Sequence, residues 1–448
     1  MKVNIEKIVK FFDSRFIVNL ANTFSFNKER IKKDQAIKEI LEDINSYFKE
    51  HYIKKFIIAE EAKLMQKYYI KKKISNLRNE KAKEEYKNML KKLDEIENNE
   101  EVIQFLCNYY LNDMAADFNP AFLIFFREMC KFLYKEFIKN LKIIVKDETI
   151  EFIKKVQGKN PIFFLPNHIS NADHIPILIG INKKKLFHPV IVAGANLYRG
   201  VSKILLPKLN VEKLRRDFIT DKAKWLNNPL YKLSFVKYNN YLWSHNEPFL
   251  FYIEGGRSRD GTIGEPKYGI ISEIFNFIKE KNKTSYFIPI TISYTIVPED
   301  YELYEATKGK NITDNNLLTY LTKLNKEYKK FKDSTIYVKI LEPIEVKPES
   351  KVDYKDFSKN IINILRKNII ITPTYLLAKI LNQNDEKEIE KLEKLYSSES
   401  KTPYTENKFK IALNIFEKRK IIEIKNNYIH IIHKGLINQY SNRIKYLT

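Results

Sequence analysis

Residues 161–180, PIFFLPNHISNADHIPILIG, run from an apolar stretch through a polar turn into a second apolar pattern. Pro161 to Leu165 reads as an apolar strand, the expected form of a short apolar run bounded by turn residues. His168 then falls in the turn, and Asp173, five residues on, enters the first helical turn beneath it. A carboxylate at that point accepts one imidazole N–H, fixes the tautomer and leaves the other ring nitrogen free to take a proton. Such a pair is the apparatus of a general base, worth about 10²–10⁴ in rate. In isolation the same spacing also fits a capping histidine followed by an aspartate favoured by the helix dipole.

Outward from that stretch, strand-like runs at 161–165, 187–193, 248–253, 285–294 and 335–341 alternate with helical patterns. This alternation predicts an α/β domain over 151–345, a mixed sheet flanked by helices. Ligands in such sheets gather outside the carboxyl ends of the strands, where His168 and Glu254 both fall. Residues 1–150 alternate apolar and charged positions at helical period with little Gly or Pro, and read as a helical N-terminal region. Within it, Phe122 to Tyr134 (FLIFFREMCKFLY) is expected as a helix buried against the α/β domain, with a membrane-surface helix as the alternative. Residues 346–448 return to helices, and the pattern at 405–419 followed by IIEIKNNYIHII predicts a helix and a β-hairpin turning at Asn426 and Asn427. A winged-helix DNA reader is disfavoured there because no recognition helix with a clear polar face precedes the hairpin. His430 and His433 are expected at the surface.

A second segment, FYIEGGRSRDGTIGEPKYG at 251–269, places an acid, two glycines and two arginines directly behind an apolar strand. Gly255 and Gly256 allow backbone geometry and close ligand approach that a side chain would block. Arg257 and Arg259 offer planar guanidinium groups suited to bidentate contact with phosphate, in a chain that otherwise uses lysine freely. The segment is read as an anion site. A glycine turn with a solvated Glu-Arg pair is the plainer alternative.

The chain has 448 residues, 44% hydrophobic content, 28 Tyr and 29 Phe, which argues against disorder and allows a large core. A formal charge of +23 points to anionic partners, although the joint abundance of Lys, Asn and Ile marks part of it as compositional drift. Lys2, Glu6, Lys7 and Lys10 interrupt any apolar leader, and the longest apolar candidate, 160–182, carries His168, Asp173 and His174 together with several Asn and Pro residues. Membrane contact is therefore expected to be peripheral, at the cytoplasmic face of the cell membrane. Cys107 and Cys130 lack the spacing of a zinc or disulfide framework and are expected as free, buried thiols.

Taken together, the segments resemble the glycerol-3-phosphate acyltransferase family of the bacterial membrane-associated kind, within the glycerolipid acyltransferases. Four blocks carry the resemblance in order. NHISNAD has His168 and Asp173 at the family's catalytic positions. GANL (Gly194 to Leu197) leads to LRRDF, where Arg215 and Arg216 match the paired arginines. EGGRSRDG with PKYG matches at Glu254, Gly255, Gly256, Arg257, Ser258, Arg259, Gly261, Pro266, Lys267 and Gly269. PITISYTIVPE supplies Pro289, Tyr294 and Glu299. The chain departs from the family at Ile169, where a basic residue is usual, at His174, where an aromatic is common, and at Asn210, where glycine is common.

The resemblance implies transfer of a fatty acyl group from acyl-CoA or acyl carrier protein to the sn-1 hydroxyl of glycerol 3-phosphate. The product would be lysophosphatidate, in the first step of phospholipid synthesis. It casts His168 as base, Asp173 as its partner, and Arg215, Arg257 and Lys267 as phosphate contacts, with Arg216, Glu254, Gly255, Gly256, Ser258, Arg259 and Pro289 completing the substrate site. Glu254 would orient the arginines or bind the free hydroxyl of the acceptor. Neither metal nor cofactor is implied, since a base activates the alcohol and the thiolate leaves readily. Dihydroxyacetone phosphate or lysophosphatidate are alternative acceptors. Other classes are a metal-dependent hydrolase built on His168, Asp173 and His174, and a non-catalytic basic protein of membranes or nucleic acid. No nucleic-acid partner is expected.

Overall fold

A computed structural model describes residues 31–133, 135–215, 228–310, 317–385 and 387–447. Packing divides the chain differently from the three successive regions expected. One compact unit joins Met1–Leu123 to Val190–Glu247, and the other joins Ile124–Pro189 to Pro248–Thr448.

In the first unit the reason lies in helix Pro229–Ser244, which packs on helices Lys33–Glu50, Tyr52–Asn76 and Asn99–Met114. Tyr231, Tyr238 and Trp243 are buried on it, and Leu106, Tyr110 and Leu111 on Asn99–Met114. Burying large aromatics of this kind is worth about 1.5–3 kcal/mol each, enough to draw the 190–247 segment into the helical core. Some of the polar atoms in that core are paired with one another. Asn228 Nδ2 donates to Tyr110 Oη at 3.0 Å, and Tyr110 Oη donates to Gln66 Oε1 at 3.0 Å.

Among the described residues ten strands are formed: β1 (Leu141–Ile144), β2 (Ile162–Pro166), β3 (Val190–Gly194), β4 (Val211–Leu214), β5 (Phe249–Leu250), β6 (Ser285–Tyr294), β7 (Ile336–Ile340), β8 (Ile344–Val346), β9 (Ile422–Lys425) and β10 (Tyr428–Ile431). In the second unit the order is β1-β7-β6-β2-β5. β1 and β7 are parallel, as are β6 with β2 and β2 with β5, whereas β7 and β8 run antiparallel to β6. This is the mixed sheet expected. Every residue of β2 and β6 is buried, which is why both read as unbroken apolar runs. In the first unit β3 and β4 form a parallel pair. The sequence pattern did not mark β1, β4 and β8, which are three or four residues long and carry a charged residue each or more, as in VEKL.

The C-terminal hairpin is formed as expected. β9 and β10 pair antiparallel about Asn426 and Asn427, whose φ values of +49° and +65° suit a two-residue primed turn. The aromatic segment forms helix Pro120–Leu133, with Phe122 and Cys130 buried and Phe132 83% exposed; Tyr134 lies outside the described residues. Cys107 and Cys130 are free, and burial pushes both thiols up to about 12. Among the described residues no helix is long and apolar enough to cross a membrane.

Candidate active site

The site of the second unit begins where β2 leaves the sheet. The side chain of Asn167 continues the ladder in place of the backbone: its Oδ1 accepts from Ile292 N at 2.7 Å and its Nδ2 donates to Ile292 O at 3.3 Å. The next residue, His168, is thus set at the carboxyl end of a central strand. Asp173 stands at the entry to helix His174–Lys183 but does not cap it. Instead its Oδ2 turns back on the loop, accepting from His168 Nδ1 at 2.9 Å, Ile169 N at 2.6 Å and Ser170 N at 2.9 Å. Its Oδ1 accepts from Tyr294 Oη at 2.8 Å. A buried carboxylate holding four donors is rigid, and it keeps the imidazole proton on Nδ1, leaving Nε2 as the basic nitrogen. The Tyr252 ring stacks on the imidazole with centroids 3.8 Å apart and planes 14° from parallel.

Glu254 follows the two-residue β5, because the chain turns as Gly255 N bonds back to Tyr252 O. Among the described residues its carboxylate makes no hydrogen bond to Arg257 or Arg259 and is engaged by two backbone N–H groups. Oε1 accepts from His168 N at 2.8 Å and Oε2 from Gly264 N at 2.8 Å, so Glu254 ties the histidine loop to the glycine-rich loop. Burial pushes its carboxyl up to about 7, with the two backbone N–H groups acting the other way.

The arginine-orienting part falls to Glu299. Its Oε1 accepts from Asn171 N at 2.8 Å and from Arg257 Nη1 at 3.4 Å, and its Oε2 from Ser170 Oγ at 2.5 Å. Burial raises its carboxyl pKa, against the hydrogen bond from Ser170 and the charge of Arg257.

The EGGRSRDG loop needs glycine at two points. Gly255 has φ +69°, and a Cβ there would lie 2.7 Å from Lys267 Cγ, whose stem covers it. Gly261 has φ +93°, and a Cβ would lie 1.9 Å from the carbonyl oxygen of Gln439. Gly256 faces open space. Ser258 N donates to His168 O at 2.9 Å, and Ser258 Oγ accepts from Gly261 N at 3.0 Å. Arg259 and Lys267 are exposed, and Pro289 is buried in β6 opposite Leu165.

Arg215 belongs to the first unit and is buried. Its Nε donates to Asp113 Oδ2 at 2.7 Å and its backbone N–H to Tyr231 Oη at 2.9 Å. Removing either partner of this buried ion pair would leave the other charge uncompensated, so Arg215 and Asp113 depend on each other. Arg216 lies outside the described residues. His174 is half-buried beside the base, and desolvation lowers its pKa to about 4, with the charge of Asp173 opposing. Among the described residues, no three His, Cys, Asp or Glu are grouped to hold a metal ion. The site selection from sequence omitted Tyr252, Tyr294, Glu299 and Asn167. Tyr294 and Glu299 stood in the fourth block, whereas nothing local marks Tyr252 as a stacking partner.

The Acyltransferase family model matches residues 144–293. Glycerol-3-phosphate acyltransferase of Pseudomonas syringae pv. syringae (strain B728a) is 28% identical over 206 residues, which are 45% of this chain and 23% of that protein. Glycerol-3-phosphate acyltransferase of Pseudomonas aeruginosa (strain LESB58) matches with the same identity and coverage. The match thus spans less than a quarter of the length of these curated relatives. Among solved structures, the 1-acyl-sn-glycerophosphate (LPA) acyltransferase PlsC from Thermotoga maritima aligns with a TM-score of 0.30 and 13% identity, over 70% of this chain and 94% of that one. Residues 144–293, which contain His168 and Asp173, are thus the part of the chain that matches the Acyltransferase family model.

Proposed function

We propose that the chain transfers a fatty acyl group from an acyl thioester, acyl-CoA or acyl carrier protein, to the sn-1 hydroxyl of glycerol 3-phosphate, giving lysophosphatidate. The observation that carries this reading is the His168 Nδ1–Asp173 pair, with Nε2 turned away from the carboxylate. Nε2 takes the proton of the acceptor hydroxyl as its oxygen attacks the thioester carbonyl. The new C–O bond forms, the tetrahedral oxyanion collapses, the C–S bond breaks, and the imidazolium returns its proton to the leaving thiolate. Asp173 stabilises the imidazolium without being protonated. Arg257, oriented by Glu299, and Lys267, over Gly255, are the acceptor-phosphate contacts supported by position in the loop. The similarity to glycerol-3-phosphate acyltransferases favours glycerol 3-phosphate over the other acceptors.

The product is an anionic amphiphile, and we infer a peripheral place on an anionic membrane surface at the cytoplasmic face. Support comes from helix Tyr52–Asn76, where Tyr52, Ile53, Phe56, Ile57 and Leu64 are each 61–81% exposed, beside the exposed Lys54 and on a chain of charge +23. The reading is tested by assaying purified protein with glycerol 3-phosphate, dihydroxyacetone phosphate and lysophosphatidate, each against acyl-CoA and acyl carrier protein donors. Glycerol 3-phosphate should give the highest kcat/KM. Transfer to none of the three would overturn it.

A further inference from the structure

The pocket containing His168, Glu254 and Ser258 is closed by three residues from beyond the acyltransferase domain, Ile369, Tyr375 and Arg443. Arg443 follows helix Lys434–Asn442, and that helix is clamped onto the EGGRSRDG loop. Gln439 Nε2 donates to Arg259 O at 2.6 Å, and Asn442 Nδ2 donates to Asp260 O at 2.9 Å. On its other side Tyr440 Oη donates to Asp300 Oδ2 at 2.7 Å, one residue from the Glu299 that orients Arg257. The helix therefore holds the EGGRSRDG loop and the Asp300 segment, and it brings Arg443 to the pocket lined by His168, Glu254 and Ser258.

Arg443 is only 4% exposed, and neither its Nε nor its Nη2 has a hydrogen-bond partner among the described residues. Its guanidinium passes over the Tyr375 ring at 5.9 Å, which supports the cation without satisfying its N–H groups. A buried charged group left without acceptors costs far more than a surface one. The two unsatisfied nitrogens lie along one edge of the guanidinium plane, the edge that pairs side-on with two oxygens of one anion. A single oxyanion would use one of them, whereas a phosphate monoester uses both.

We propose that Arg443 is a substrate-binding residue of this site and that its Nε/Nη2 edge receives the phosphate of the acceptor. This rests on the reading of the site as one for a phosphorylated acceptor. The pocket as it stands has room for about one water molecule, so seating a phosphate on that edge requires the pocket to open. The acyltransferase domain alone, without residues 434–443, then lacks part of its phosphate site.

The test compares a phosphorylated with an unphosphorylated acceptor in the full chain. In Arg443→Gln, the KM for glycerol 3-phosphate should rise about 30-fold or more, the scale of removing one partner of a buried charge pair. Transfer to glycerol, and the KM for the acyl donor, should change no more than about threefold. Arg443→Lys should recover only part of the loss, because an ammonium cannot make the side-on pair. Calorimetric titration with inorganic phosphate gives a readout that does not depend on acyl transfer: the parent should bind it and Arg443→Gln should bind it at least about tenfold more weakly. Equal loss towards glycerol and glycerol 3-phosphate would overturn the proposal, as would unaltered phosphate binding in the variant. If Arg443→Gln does not fold, judged by its thermal melt, Arg443→Lys decides through the same comparison. Should the parent bind phosphate through Arg443 yet transfer no acyl group to any phosphorylated acceptor, the proposed activity fails and the phosphate site stands.

Discussion

His168 is held by three kinds of contact at once: an ion-pair hydrogen bond from Nδ1 to Asp173, a backbone N–H to Glu254, and the stacked ring of Tyr252. The pairing with Asp173 was legible because a five-residue spacing across a turn brings a carboxylate under a ring. The partner of Glu254 was not legible, since a backbone N–H leaves no mark in the sequence. If His168 is the general base, His168→Ala should lower kcat by about 10²–10³ or more with little change in the thermal melt. A folded His168→Ala protein with near-parental turnover would sink the mechanism. Tyr294 acts one step further out, donating to Asp173 Oδ1 at 2.8 Å from a fully buried position. Tyr294→Phe removes that donor and leaves the ring, so kcat should fall about 5- to 30-fold while both KM values stay within about threefold. A positioning role also predicts an altered pKa in the acid limb of the kcat profile. An unchanged profile alongside reduced kcat would assign Tyr294 to packing alone.

Helix Tyr52–Asn76 shows what periodicity conveys and what it leaves out. Its apolar and charged alternation predicted a helix, and the same pattern gave no indication of which apolar face would be covered. Ala59, Ala62, Tyr69 and Ile70 are buried, while Tyr52, Ile53, Phe56 and Ile57 stand in solvent over the first two turns. The aromatic segment from Phe122, expected as a buried helix with a membrane-surface helix as the alternative, lies in helix Pro120–Leu133 with Phe122 buried and Phe132 exposed. These elements make different forecasts for vesicle binding. The chain should sediment with vesicles containing anionic lipid at low ionic strength and be released in part as salt screens the lysines. The salt-resistant fraction should fall about tenfold or more in an Ile53→Ser/Phe56→Ser/Ile57→Ser protein, since each buried side chain of this size is worth about 1.5–3 kcal/mol. Loss of that fraction in Phe132→Ser instead would move the contact to the other helix. No sedimentation of the parent at low salt would remove the membrane surface as a partner.

At the scale of the molecule, sequence order and packing part company. The α/β alternation was legible because β2 and β6 are continuous apolar runs, whereas the union of Met1–Leu123 with Val190–Glu247 depends on long-range contacts that no local pattern encodes. That union also buries Glu212, a charged residue in β4 that helped to hide the strand. Its Oε1 accepts from Asn239 Nδ2 at 3.0 Å, its Oε2 has no partner among the described residues, and burial pushes its carboxyl up to about 8. Against the ordinary 4.5, the folded state keeps a proton that the unfolded chain releases. The contribution of Glu212 to stability is therefore complete below about pH 4.5 and is lost as pH rises to about 8. Glu254 acts in the same direction up to about pH 7, and His174, lowered to about 4, acts oppositely below about pH 6.5. In Glu212→Gln the acceptor for Asn239 remains and the ionisable group is gone. Its unfolding free energy should exceed that of the parent by several kcal/mol at pH 8.5, on the scale of about 1.4 kcal/mol per pH unit, and the two should converge near pH 5. Urea unfolding of both proteins at pH 5, 7 and 8.5 measures the difference. Parallel stability curves across that range would show that Glu212 titrates alike in the folded and unfolded chain, and that the buried carboxyl is not held neutral.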